Sequence, residues 1–393
     1  LLQESFVRIC AVMKYPPIQG GVSAQCYWLA RELAQSGHEI HVVTNADEVE
    51  DEYRILMSDA DREWLEPTFA RGRVRLWSTE PFSMKFLHVP QSNPFVSKLA
   101  GLATQVVRRQ RCELIFSNYL EPYGVAAHLA AAWTRVPHAV HHAGSDIGRL
   151  MNRHGLDTTY QEVFRRAHAV FTGSAYPFLG LGVPPESIYK NPRFYLPTAS
   201  FHPDVLPLDF NAHFAELRAL RPDFVTGPAT FDPAVPTIGI YGKLGWVKGS
   251  YDLLHALGLL RREGLRFNFV AITGGRGRRE YLKAVQEQGL GDVAWTIPFM
   301  PHWKIGRFIR ACHAVCFLER EFPITFHTPT IPREILASAT CLVLSGEIAR
   351  KQHFYNQICD GKNLLLVPDP RIHSELAQAL RRIIVAPAWA VEV

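Results

Sequence analysis

The sequence predicts an α/β protein built from two doubly wound domains, each a parallel sheet wrapped by helices. Three observations predict it. Short apolar strands alternate with helical segments through the first half of the chain. The alternation breaks over the proline-rich stretch 190–236 and then restarts. The length, 393 residues, exceeds one ordinary domain and suits two of about 150–200.

In the first half, Val7–Met13 is a buried-strand run. Val22–Gly37 is a helix ended by Gly37, and Glu39–Thr44 is the next strand. Further strands are expected at Arg73–Trp77, Glu113–Ser117, Ala139–His142 and Ala169–Thr172, with helices at Leu99–Gln110 and Gly124–Thr134. The segment Asp47–Lys85 is long for a βα connection and is expected to cover the cleft. The second half repeats the scheme, with strands at Thr237–Tyr241, Phe267–Thr273, Val293–Ile297, Ala314–Leu318, Cys341–Leu344 and Asn363–Val367. Helices fall at Gly249–Glu263, Arg278–Gln288, Trp303–Cys312, Pro332–Ala339, Glu347–Ile358 and His373–Ile384. Such β-α alternation implies parallel sheets covered on both faces. Two such domains are expected to place a ligand cleft where the carboxyl ends of the sheets face each other.

Composition narrows the function. Hydrophobic content of 47% with 20% charge marks a globular chain, and no apolar run reaches the ~20 residues of a membrane span. The start, LLQESFVRICAVM, lacks a basic segment followed by a long apolar one, so no signal peptide is expected. The 7 cysteines are odd in number and mostly sit in apolar patterns, which predicts reduced thiols in a cytoplasmic protein. The net charge of +5 is spread as arginine pairs over several helices, which argues against a nucleic-acid binder. It leaves room for an anionic ligand and weak peripheral membrane contact, for instance by Leu99–Gln110 with Arg108 and Arg109. No feature points to a particular oligomeric state.

Four segments carry chemistry. In IYGKLGWVKG a strand ends at Gly242, Lys243 follows, and Lys248 precedes Gly249 and a helix. Glycines admit close approach, and two ammonium groups with a helix N-terminus suit a diphosphate. An ordinary strand–turn–helix with solvated lysines is the alternative. In YPPIQGGVSAQ, Gln19, Gly20 and Gly21 join a strand to a helix, either as a backbone cradle for an anion or sugar or as a plain tight turn. It is not G-x-G-x-x-G, and no acidic residue ends the second strand, so a dinucleotide dehydrogenase is disfavoured. In AVHHAGSD, His142 and Asp146 follow a strand end, as catalytic and orienting groups or as a histidine beside a capped helix. In PREILASA, Glu334 lies in a first helical turn, positioned for ribose hydroxyls or simply for the helix dipole. Asp59-Ala60-Asp61 is a DXD, but it sits before REWLEP and is better explained as a helix start, so no metal is expected.

Together with the ending DGKNLLLVPDP, these segments resemble the GT-B glycosyltransferases of the group-4 type over nearly the whole chain. The resemblance implies a retaining transferase that moves a sugar from a nucleotide diphosphate sugar to an acceptor hydroxyl, with no cofactor beyond the UDP- or GDP-type donor. It implies an acceptor-side Rossmann-like domain over 1–200, a linker over 201–236, and a donor-side domain over 237–370. A C-terminal helix over 371–393 would return to the first domain. Lys243 stands where the family usually has Arg, and Lys248 matches; both would meet the pyrophosphate, and with His142 they form the expected catalytic set. Gly20, Gly21, Gly242, Phe299, Met300, His327 and Glu334 complete the donor contacts. Gln19, Gly21, His142 and Asp146 are expected on the acceptor, whether small molecule, glycan or lipid-linked. One departure stands out. The first Glu of the family's E-x7-E falls at Phe326, and Glu319 and Glu321, 15 and 13 residues before Glu334, miss the spacing. That departure keeps open a sugar-nucleotide epimerase, a pseudo-glycosyltransferase or an inactive sugar-nucleotide-binding relative.

Overall fold

A computed structural model describes residues 6–81, 94–144, 146–190, 196–275, 277–323 and 328–392. The chain divides into two compact units, Leu1–Phe194 and Tyr195–Val393.

The first unit contains β1 (Arg8–Met13), α1 (Gly21–Gln35), β2 (Glu39–Thr44), α2 (Asp59–Glu63), β3 (Arg73–Ser78), α3 (Phe95–Gln110) and β4 (Leu114–Asn118). It continues with α4 (Val125–Thr134), β5 (His138–His141), α5 (Leu156–Arg166), β6 (Ala169–Thr172), α6 (Tyr176–Gly180) and β7 (Ile188–Lys190). Its strands pair in parallel in the order β3-β2-β1-β4-β5-β6-β7. The register is set by near-continuous apolar strands: Cys10 lies opposite His41 on one side and Ile115 on the other. On one face, α3 and α4 meet through small residues, Ala100 and Ala103 against Ala126, Ala127 and Ala130, all fully buried. Small side chains let the two helix backbones approach closely.

The second unit begins with α7 (Phe210–Leu220), then β8 (Thr237–Tyr241), α8 (Ser250–Arg262), β9 (Asn268–Ile272), α9 (Arg278–Glu287), β10 (Ala294–Ile297) and α10 (His302–Ala311). β11 (Ala314–Phe317), α11 (Ile331–Ala337), β12 (Cys341–Ser345), α12 (Gly346–Arg350), β13 (Leu365–Val367), α13 (His373–Val385) and α14 (Pro387–Glu392) follow. The strand order is β10-β9-β8-β11-β12-β13, all parallel. In both units the order reverses beside the first strand, between β1 and β4 and between β8 and β11. That reversal opens a crevice at the strands' carboxyl ends.

Three expectations change. The stretch 201–236 is no irregular linker. Asp209 caps α7 by accepting from the Ala212 N–H at 3.0 Å, and Phe210 and Phe214 pack with Phe231 and Trp295 inside the second unit. The surrounding prolines hid this i, i+4 aromatic pair. The C-terminal helix α13 buries Leu376, Leu380 and Ile383 in the second unit's own core, against Leu253 and Leu257 of α8. The helix expected over Glu347–Ile358 stops at Arg350 and gives way to a single turn at Tyr355–Gln357, because Lys351–Gln357 offers no repeating apolar face. Asp59–Asp61 does start a helix: Ser58 Oγ accepts from the Asp61 N–H, and Asp61 accepts from the Ser58 N–H.

Candidate active site

At the end of β1, the chain turns through Pro17–Gln19 and enters α1 at Gly20. That turn is braced by the following loop: the Gln19 N–H donates to Tyr53 O at 3.0 Å, and the Ile55 N–H donates to Pro17 O at 2.7 Å. Gln19 is buried, 6% exposed, and its Oε1 has no hydrogen-bond partner among the described residues. Gly20 has φ +112°, a conformation L side chains rarely adopt, and Lys14 Nζ lies 3.4 Å from where a Cβ would stand. Gly21 is exposed with open space around it. The glycine turn is therefore a bare backbone edge at a helix N-terminus with an ammonium beside it. Lys14, at the carboxyl end of β1, was missed in the sequence although its place at a strand end was the available signal.

After β5, His142 is half-buried in an aromatic setting. Its ring packs on Phe178 at 5.0 Å and meets the edge of Phe164 at 6.3 Å, and Nε2 shares a hydrogen bond with Thr172 Oγ1 at 3.0 Å. Burial pushes its pKa down to about 4, so the ring is neutral near pH 7. Asp146 is fully buried and accepts from the backbone N–H groups of Leu120 (3.0 Å), Ala143 (3.1 Å) and Ile147 (2.9 Å). Burial raises its pKa to about 6 against the pull of those donors. Its oxygens tie the loop after β5 to the loop after β4. The expectation that it contacts acceptor is therefore replaced by a positioning role. In the bridged loop, Tyr119 has φ +78°, strained for a residue with a side chain, directly at the β4 end.

In the second unit, the loop Gly242–Gly249 leaves β8 at the strand-order reversal. Gly242, Gly245 and Gly249 have φ of +129°, +149° and +67°. A Cβ on Gly249 would lie 2.3 Å from Leu318 O, so only glycine lets α8 start against the end of β11. Lys243 is exposed. Lys248 contacts Glu319, and its ammonium lies 4.2 Å from the Phe322 ring centroid. Trp246, between the lysines, is exposed and stacks on Tyr251 at 4.6 Å.

Glu334 is only 2% exposed. Oε2 accepts from Tyr241 Oη at 2.6 Å, and Oε1 receives Thr330 Oγ1 at 3.1 Å and His302 Nε2 at 3.2 Å. Burial pushes its pKa up, but His302 and these hydrogen bonds outweigh it and hold the carboxyl below its ordinary value. Its oxygens are thus engaged by protein groups, of which Thr330 and His302 are half-buried. Of the expected donor contacts, Met300 is buried at 4% and belongs to the core, while Phe299 is half-buried in the loop after β10. His327, Phe326 and Ser145 lie outside the described residues. Among the described residues, no group of three His, Cys, Asp or Glu could hold a metal ion, and no helix is long and apolar enough to cross a membrane.

Two parallel units in the Rossmann strand order, each with a glycine turn at its order reversal, are the architecture of the GT-B fold. Residues 20–188, less than half of the chain, match the family of glycosyl transferase 4-like domains. No curated protein sequence matches the chain. Among solved structures, sucrose-phosphate synthase from Thermosynechococcus elongatus is similar at TM-score 0.58 and 16% identity, over 98% of this chain and 92% of that one. Anabaena HepE, in complex with UDP and glucose, is similar at TM-score 0.58 and 16% identity, over the same shares. A glycosyltransferase from Rickettsia africae gives TM-score 0.57 and 14% identity over 99% and 92%. These likenesses establish the fold.

Proposed function

We propose that this chain transfers a sugar from a UDP- or GDP-type nucleotide sugar to an acceptor hydroxyl, with retention of configuration and without a metal or other cofactor. The observation that carries the reading is the loop Gly242–Gly249: three positive-φ glycines and two lysines at the N-terminus of α8, on the reversal of a Rossmann sheet. Charge developing on the leaving diphosphate is met there by Lys243, Lys248 and the helix N-terminus. The acceptor hydroxyl attacks from the face the diphosphate leaves. The donor ribose is held at Glu334, whose carboxylate is oriented by Tyr241, Thr330 and His302. The acceptor, a small molecule, a glycan or a lipid-linked sugar, is bound by the first unit near Gly21 and His142. A similar fold that carries UDP and glucose, in Anabaena HepE, supports the donor class. Seven free thiols, six of them buried, support a cytoplasmic setting.

Calorimetry against UDP, GDP, ADP, TDP and their sugar conjugates tests the reading. Selective binding of one diphosphate, weakened at least tenfold in Lys248→Ala, is expected. Binding with no transfer or donor hydrolysis across a broad acceptor panel would instead identify an inactive sugar-nucleotide binder.

A further inference from the structure

Lys248 does not stand alone in its loop. The Glu319 carboxylate contacts its ammonium on one side, and the Phe322 ring lies 4.2 Å away. Glu319 is the second residue beyond β11 and only 4% exposed. The backbone beneath it is pinned twice. Ser345 Oγ donates to Glu319 O at 2.6 Å, and the Arg320 N–H donates to Val247 O, one residue before Lys248, at 2.9 Å. The lysine loop and its carboxylate partner are thus one assembly.

We propose that Glu319 is a positioning residue for the donor: with Phe322 it forms a socket that fixes the Lys248 ammonium for the diphosphate. This rests on the donor site proposed above. A carboxylate on a phosphate-binding lysine either competes with the phosphate or holds the lysine for it. Burial decides between the two. Displacing Glu319 from the lysine would separate a buried carboxylate from a close cationic partner, which is strongly unfavourable. The ammonium has three donors, and Glu319 Oε1 takes one of them. The Lys248 side chain remains 23% exposed against 5% for Glu319, so solvent and ligand reach the lysine and not the acid. A four-carbon stem held in advance loses less freedom when it grips a ligand.

The test uses whichever of UDP or GDP the full chain binds, with its monophosphate as control. Glu319→Gln keeps the shape and removes the charge. Calorimetry should show diphosphate affinity reduced about tenfold and monophosphate affinity changed less than twofold. In a Lys248→Met background the same substitution should cost nothing. A diphosphate affinity that is unchanged or tighter in Glu319→Gln would overturn the proposal, since the carboxylate would then be idle or a competitor. So would a parallel loss for the monophosphate, the mark of general damage to the fold. If Glu319→Gln does not fold, Phe322→Leu reads the other wall of the socket. About threefold weaker diphosphate binding supports the proposal, and unchanged binding sinks it. Wild-type protein that binds no nucleoside diphosphate would instead bring down the donor site itself.

Discussion

The hydroxyl of Tyr241 donates to Oε2 of Glu334 at 2.6 Å, joining the last residue of β8 to the first turn of α11. Thr330 and His302 occupy the other oxygen, so one buried carboxylate organises three chain segments. Tyr241→Phe strands Oε2 without changing shape and should cost about 1–3 kcal/mol in urea unfolding. Because the native pKa of Glu334 is lowered, its contribution is present above the ordinary carboxylate range and is lost as pH falls through the native value. A Tyr241→Phe protein as stable as wild type would mean that the hydroxyl is not holding the carboxylate.

The glycine pair in the first unit separates backbone need from ligand need. At Gly20, φ of +112° makes any side chain strained, so Gly20→Ala should destabilise by about 1–2 kcal/mol. At Gly21, a helical first-turn position with nothing within 4 Å of a new Cβ, alanine should leave stability unchanged or raise it by up to about 1 kcal/mol. A Gly21→Ala protein that melts like wild type yet transfers sugar at least tenfold more slowly would place ligand against that backbone. Full activity would remove Gly21 from the site.

The strands and most helices were legible because buried parallel strands are short, continuous apolar runs: Glu39–Thr44 and Thr237–Tyr241 fall where the sequence places them. The glycine turns were legible for the same local reason. What was hidden depends on contacts distant in sequence. Glu319 meets Lys248 across 71 residues, and Tyr241 meets Glu334 across 93. No spacing rule reaches that far, and a search at eight residues before Glu334 passes over an acid that follows a strand end. Asp146 failed in the opposite sense: its loop position suggested a ligand, while burial turned its oxygens toward backbone amides.

The first unit should lose stability in mild acid. Burial, with neighbouring histidines adding to it at His138 and His141, pushes the pKa of His138 down to about 3 and those of His141 and His142 down to about 4. Lowered native values mean stability present above about 6.5 and lost as pH falls toward them. Each ring then costs about 2 kcal/mol by pH 5. Asp146 acts with the opposite sign. Its pKa, raised to about 6, gives stability that is full below the unfolded value and disappears as pH rises past 6, returning only about 1 kcal/mol at pH 5. The histidines win, so urea midpoints followed by tryptophan fluorescence should drop markedly between pH 8 and pH 5. A flat profile would show that these rings titrate as in solution.

His142 is the residue whose role most needs separation from its packing. Its ring fills an aromatic pocket against Phe178 and Phe164, and Nε2 is engaged by Thr172, so His142→Ala would confuse a cavity with lost chemistry. His142→Phe keeps the aromatic volume and deletes the nitrogens. With the native pKa near 4, the ring is neutral throughout the working range, so it can polarise a hydroxyl but does not supply an imidazolium. A directly acting ring predicts kcat down by about 10²-fold or more in His142→Phe, with nucleoside diphosphate affinity changed less than twofold. It also predicts no histidine-like break in the kcat profile between pH 6 and pH 8. Transfer, or hydrolysis of the identified donor, within threefold of wild type would leave His142 as a packing residue and move the catalytic burden to the lysines of the second unit.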